Sequence, residues 1–135
     1  GGHNPAGGEA VAATVARMPA RETHLICGML NTKDVAGYMR PLAGHVTQLH
    51  AVSIPGEKNT LPAEVTRDAA LSVGIPAEAA PSVAGALAEI AAKSPEARVL
   101  ICGSLYLAGT QSDEAPRILI CGSLYLAGAI LRENG

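Results

Sequence analysis

One stretch of this chain is written twice. RVLICGSLYLAG runs from Arg98 to Gly109, and RILICGSLYLAG runs from Arg117 to Gly128, the two differing only at Val99 and Ile118. Each copy opens on a short, unbroken apolar run that stops at glycine. Such a run has no polar face to turn toward water, so it predicts a strand buried on both sides, as in a parallel sheet. A third run of this kind, His24 to Met29, lies upstream. The intervening segments have helical spacing or good caps. Val11, Val15 and Met18 fall on one face of a helix from Gly8 to Met18. Asn31 and Thr32 can cap a helix through Asp34 and onward, and Pro41 should kink or shorten it. Val46 to Ile54 reads as a strand. Pro62 suits the first turn of a helix ending at Gly74. Ile75 to Pro81 is a connection with room for a very short strand, and Ser82 caps an Ala-rich helix to Lys93. Arg98 to Cys102 is the next strand. Strands alternating with helices predict an α/β fold. The expected form is three layers: a mostly parallel, Rossmann-like sheet with helices on both faces.

Two features of that pattern are unusual. The chain opens on a Gly-Gly turn and a helix where such a domain normally opens on a strand, so the first strand is expected to be missing. The far end carries one strand too many. Residues 1–135 are the length of a single domain, with the near-identical repeat 98–109 / 117–128 inside it. The copies are offset by 19 residues, and the 15 from Gly103 to Arg117 are enough for a parallel crossover. Both copies are expected to be strands of one sheet, the second filling the space of the missing first. The alternative is competition for one position, with the loser at an edge.

Composition narrows the chemistry. There is no Phe or Trp, and the tyrosines are Tyr38, Tyr106 and Tyr125, so the core must be Ala, Val, Leu and Ile. The formal net charge is −2 with Lys and Arg scattered, which argues against nucleic acid as a partner. No apolar run reaches the roughly 18 residues of a membrane span, and no signal peptide opens the chain. A soluble, cytoplasmic protein with no membrane partner is expected. Cys27, Cys102 and Cys121 are odd in number and lack C-x-x-C spacing, so they read as reduced, buried strand residues and not as a disulfide frame or metal site.

A buried strand that passes through Gly-Ser into a turn or helix exposes backbone N–H groups, and a serine hydroxyl adds a donor. Gly28, Gly103 and Gly122 fall at such strand ends, so one rim of the sheet is a candidate phosphate or carboxylate site. The plainer account is that Gly103 serves the turn and Ser104 caps a helix. His3 and Asn4 precede a helix at the same rim, unless His3 is only a terminal residue. Lys33 could face an anion, while Asp34 reads as a first-turn helix residue. His24, His45 and His50 are separated, without ligand spacing, and read as strand or loop residues. No Gly-x-x-x-x-Gly-Lys-Ser/Thr loop is present. No metal ligands and no certain catalytic residue emerge.

Three stretches together, GHNPAGGEA from Gly2 to Ala10, GMLNTKDVAGYMRPL from Gly28 to Leu42, and the LICGSLYLAG ending, give a more specific pointer. Their order resembles the C-terminal domain of bacterial bifunctional folylpolyglutamate synthase/dihydrofolate synthase, a family of the Mur ligase group. The resemblance implies an ATP-dependent amide ligase of folate biosynthesis and one-carbon metabolism. ATP phosphorylates a carboxylate of dihydropteroate or a folate, and the amine of L-glutamate attacks the acyl phosphate. The C-terminal domain closes over nucleotide and glutamate. The family's His-Asn-Pro matches His3, Asn4 and Pro5, and the serine of its Gly-Ser turn matches Ser104 or equally Ser123. ATP and Mg are implied for the full-length enzyme, with none held tightly by this chain. The N-terminal ATPase domain, with its phosphate loop and magnesium ligands, is the implied partner, and the chain alone is expected to be inactive. The family's nucleotide-gripping Asp would fall just before Gly1, and Gly2 stands for the usual Ala. Two other expectations stand beside this one. One is a non-catalytic or engineered α/β module that forms homo-oligomers through edge strands. The other is a different Mur ligase acting on another amino acid.

Overall fold

Thr23–Gly28 forms β1, and every one of its residues is buried. A strand with both faces covered needs partners on both edges and layers on both sides. The computed structural model describes residues 5–31, 34–56, 58–103 and 118–120, with 102, 103 and 118–120 described as backbone. In it β1 is paired in parallel with β2 (Gln48–Val52) on one edge and β4 (Arg98–Gly103) on the other. β3 (Ala77–Ala79) pairs with β2, and β5 (Ile118–Ile120) pairs with β4, both parallel. The order is β3-β2-β1-β4-β5. The described part of each copy, Arg98–Gly103 and Ile118–Ile120, therefore lies in the sheet. Val99 lies opposite Ile118, Leu100 opposite Leu119, and Ile101 opposite Ile120, so equivalent positions of the two copies stand side by side.

The helices are α1 (Pro5–Ala16), α2 (Val35–Met39), α3 (Ala63–Ser72) and α4 (Val83–Lys93). The expected α1 stops short of Met18. Pro41 falls where α2 tightens into a 3-10 turn, Arg40–Leu42, because proline cannot supply the α-helical N–H. Val11, Val15, Tyr38, Met39 and Leu42 cover one face of the sheet, against Leu25, Leu49 and Leu100. Val83, Ala86, Leu87 and Ile90 of α4 cover the other, against Ile26, Val52, Val99 and Ile101. Side chains of successive strand residues point to opposite faces, so each apolar run serves both layers. This is the three-layer α/β arrangement the sequence predicts.

Caps and turns fall where small and polar residues supply them. Ser82 Oγ accepts from the Gly85 N–H at 2.9 Å and starts α4. Past the end of α3, Gly74 takes φ +90°, and the Ile75 N–H reaches back to the Ala70 carbonyl at 3.0 Å. Gly8 has a different task. A Cβ there would collide with the carbonyl oxygen of Tyr38, so α1 and α2 touch backbone to backbone.

One seam of the α4 face is polar. His24 Nδ1 and His50 Nε2 lie 2.9 Å apart, with the rings stacked at 5.2 Å. His24 Nε2 is 2.6 Å from Glu22 Oε2. His50 Nδ1 is 3.5 Å from Glu78 Oε1, too long and misaligned for a hydrogen bond. With both rings neutral, the pattern assigns Nε2–H of His24 to Glu22 and Nε2–H of His50 to His24 Nδ1. Burial pushes His50 down to about 4, with His24 and Lys93 adding to the shift and Glu89 opposing it. Glu22, hydrogen-bonded by Ser94 and His24, is held below the usual carboxylate range. Glu89 is lowered too, first by its 3.0 Å contact with Lys93.

Two predictions follow from packing and charge. Gly8→Ala should lower the unfolding free energy by about 1–3 kcal/mol, despite alanine's better helix propensity, because the two backbones must part. Urea unfolding reads this directly, and a stabilised variant would contradict the close contact. For His50, the unfolded ring binds a proton more tightly than the folded one between its ordinary value of 6.5 and about 4. Stability should therefore fall as pH drops through that window, by about 3 kcal/mol below both values. In His50→Leu the slope of stability against pH across this window should flatten.

Candidate functional site

The chain enters the sheet at β1, steps outward to β2 and β3, and then crosses to β4 on the opposite side of β1. The strand order reverses between β1 and β4. In an open α/β sheet, a strand-order reversal of this kind is the place where ligands gather, outside the carboxyl ends of the strands. Gly28 and Gly103 end the two strands and are paired in register there. The Gly-ended apolar runs are thus the sequence signal that places this rim.

The loops around this rim are tied down. After β1, Met29 accepts from the Leu61 N–H at 2.9 Å, and the Asn31 N–H donates to the Asn59 carbonyl at 2.6 Å. Leu30 and Thr60 form an antiparallel bridge. Thr60 Oγ1 accepts from the Ile54 N–H at 2.7 Å, and Ser53 Oγ accepts from the Ala63 N–H at 3.1 Å, at the start of α3. Asp34 Oδ1 accepts from the Gly37 N–H at 2.9 Å and caps α2. The cap is therefore Asp34 and not Asn31 or Thr32. Asp34 directly precedes the first helical residue, which is the position from which a short carboxylate reaches the third N–H. Its carboxylate is engaged by its own helix, in keeping with a structural residue.

His3, Asn4, Lys33, Ser104 and Ser123 lie outside the described residues. Their sequence neighbours Asp34 and Gly103 are at the carboxyl rim. The C-terminal end of α1 leads into the amino end of β1, so its first residue, Pro5, is carried toward the same rim. Cys27 is buried and free; Cys102 and Cys121 have no described side chain. Among the described residues no group of three His, Cys, Asp or Glu could hold a metal ion. None of their helices is long and apolar enough to cross a membrane. His45 sits in the turn before β2, at the opposite end of the sheet. The contact between His24 and His50 is absent from the sequence reading, because 26 positions separate them and only strand register brings them together. The available signal was a histidine in each of two largely apolar strands.

Residues 1–105 match the family model of the Mur ligase glutamate ligase domain. No match was found among curated protein sequences. Among solved structures, the chain is similar to Escherichia coli FolC in complex with DHPP and ADP, with 27% identity and a TM-score of 0.65. That likeness covers 76% of this chain and 24% of the other. It is also similar to Mycobacterium tuberculosis folylpolyglutamate synthase complexed with ADP and AMPPCP, with 27% identity and a TM-score of 0.61, over 98% of this chain and 28% of that one. The Yersinia pestis bifunctional folylpolyglutamate synthase/dihydrofolate synthase complexed with AMPPNP and Mn ion shares the fold, with 21% identity and a TM-score of 0.61 over 76% and 24% of the two chains. The chain thus spans about a quarter of the length of these proteins. Sheet order, helix layers and a match across most of the sequence agree: the chain belongs to the Mur ligase glutamate ligase domain family.

Proposed function

We propose that this chain is the C-terminal domain of an ATP-dependent folate–glutamate amide ligase of the cytoplasm. The observation that carries the reading is the 27% identity to a folylpolyglutamate synthase across 98% of the chain. The strand-order reversal where Gly28 and Gly103 end side by side supports it, since a carboxylate or phosphate is favoured beside helix starts at such a rim. In this reading His3, Asn4, Lys33 and Ser104 hold the anionic groups of glutamate and nucleotide as two domains close, with Ser123 the equivalent of Ser104 in the second copy. Holding glutamate in place raises the effective concentration of its amine at the carboxylate it will join. ATP and magnesium supply the activation of that carboxylate in the whole ligase. We assign the metal and the phosphate loop to an N-terminal ATPase domain of the whole ligase, and in this reading the chain alone turns nothing over.

The test is ADP release with Mg-ATP, glutamate and dihydropteroate or tetrahydrofolate. Turnover is expected only when the chain is mixed with a separately expressed N-terminal ATPase domain of the family. His3→Ala should then reduce the rate about a hundredfold. A mixture that stays inactive while circular dichroism reports a folded chain would count against the proposal.

A further inference from the structure

The end of the sheet opposite Gly28 and Gly103 carries a cleft. Its volume is about 390 Å³, and it opens where α1 runs into β1 and where the turn at Gly44 and His45 leads into β2. Arg98, the first residue of β4, lines it, yet only 8% of that residue is exposed. Its guanidinium donates to the Pro19 carbonyl at 2.7 Å and, at a long 3.4 Å, to Thr23 Oγ1. Both partners are neutral. A guanidinium has five N–H donors in a planar fork, so most of its capacity is unspent among the described residues. Arg21 and His45 line the same cleft, and no described Asp or Glu does. Glu22, next to Arg21 in sequence, is engaged elsewhere, by His24 at 2.6 Å, and Glu96, two residues before Arg98, does not line the cleft.

A buried positive charge is costly without a counter-charge, and a fork held rigid by two neutral acceptors has little freedom left to lose on binding. We infer that this cleft at the amino ends of the strands binds an oxyanion, the phosphate or carboxylate group of a small organic molecule. Arg98 and Arg21 grip the head group, and His45 adds a donor. Val15, Met18 and Pro19 offer an apolar wall to the body of the ligand. The volume is far larger than a bare ion needs. The site lies at the other end of the strands from Gly28 and Gly103, so it stands or falls apart from the ligase proposal.

Titration of the full chain with phenyl phosphate and with benzoate, followed by amide NMR, tests it. At least one should shift the Thr23, Gly44 and His45 amides saturably in the millimolar range, and the better binder identifies the head group. Arg21→Ala, an exposed substitution that leaves the core untouched, should weaken that binding about tenfold. Arg98→Lys should weaken it as well, since a point charge cannot replace a fork. The inference is overturned if neither probe gives saturable shifts at those amides. Shifts confined to Gly28 and Ile54, or binding unchanged in Arg21→Ala, would overturn it equally.

Discussion

The pairing of β1 with β4 is the interaction on which the rest of the structure depends. It joins segments 75 positions apart, Thr23 beside Arg98, through six parallel register pairs. Closing so long a loop costs entropy that local contacts cannot offset. The return comes from burial on both faces at once: Leu25 and Leu100 toward one helix layer, Ile26 and Ile101 toward the other, all fully buried. Each such side chain contributes on the order of 2 kcal/mol. Because β4 docks on the side of β1 away from β2, the same pairing creates the strand-order reversal that marks the candidate site. Core and site have one cause.

The absence of Phe and Trp sets the dimensions of the layers. With Tyr38 as the largest fully buried side chain among the described residues, the spaces between helices are closed by bringing backbones together. Gly8 against Tyr38 does this between α1 and α2. Ala86 at 0% exposure does it where α4 lies on the sheet. An interior of this kind has little slack, and its tolerance for added volume is low wherever backbone faces backbone.

Much of this was legible in sequence, for physical reasons that differ by element. β1 and β4 were readable because strands buried on both faces cannot contain a polar residue at every second position. α4 was readable because Ser82 is a strong cap, and α3 because Pro62 and Gly74 bracket it. β3 was harder: three residues, partly exposed, have almost no pattern of their own and exist because β2 offers an edge. The cap of α2 was misplaced by a few residues because Asn31, Thr32 and Asp34 are all competent, and the loop's ties to Asn59 and Leu61 decide among them. At the site, the glycines were legible as strand ends. The histidine pair and the cleft around Arg98 were not, since both arise from residues that only the register of the sheet brings together.

The His24–His50 contact has a consequence for how the sheet chooses its alignment. Apolar strands slide past one another cheaply, since one branched side chain replaces another with little loss. Slipping β2 along β1 by two residues would preserve the pleat and keep both histidines on the same face. It would also move their rings about 7 Å out of alignment. Each would then sit in the dark of the α4 layer without its partner. A polar pair among interchangeable neighbours thus works as a key in a lock of otherwise smooth pins: it adds little to the strength of the closure and a great deal to its uniqueness.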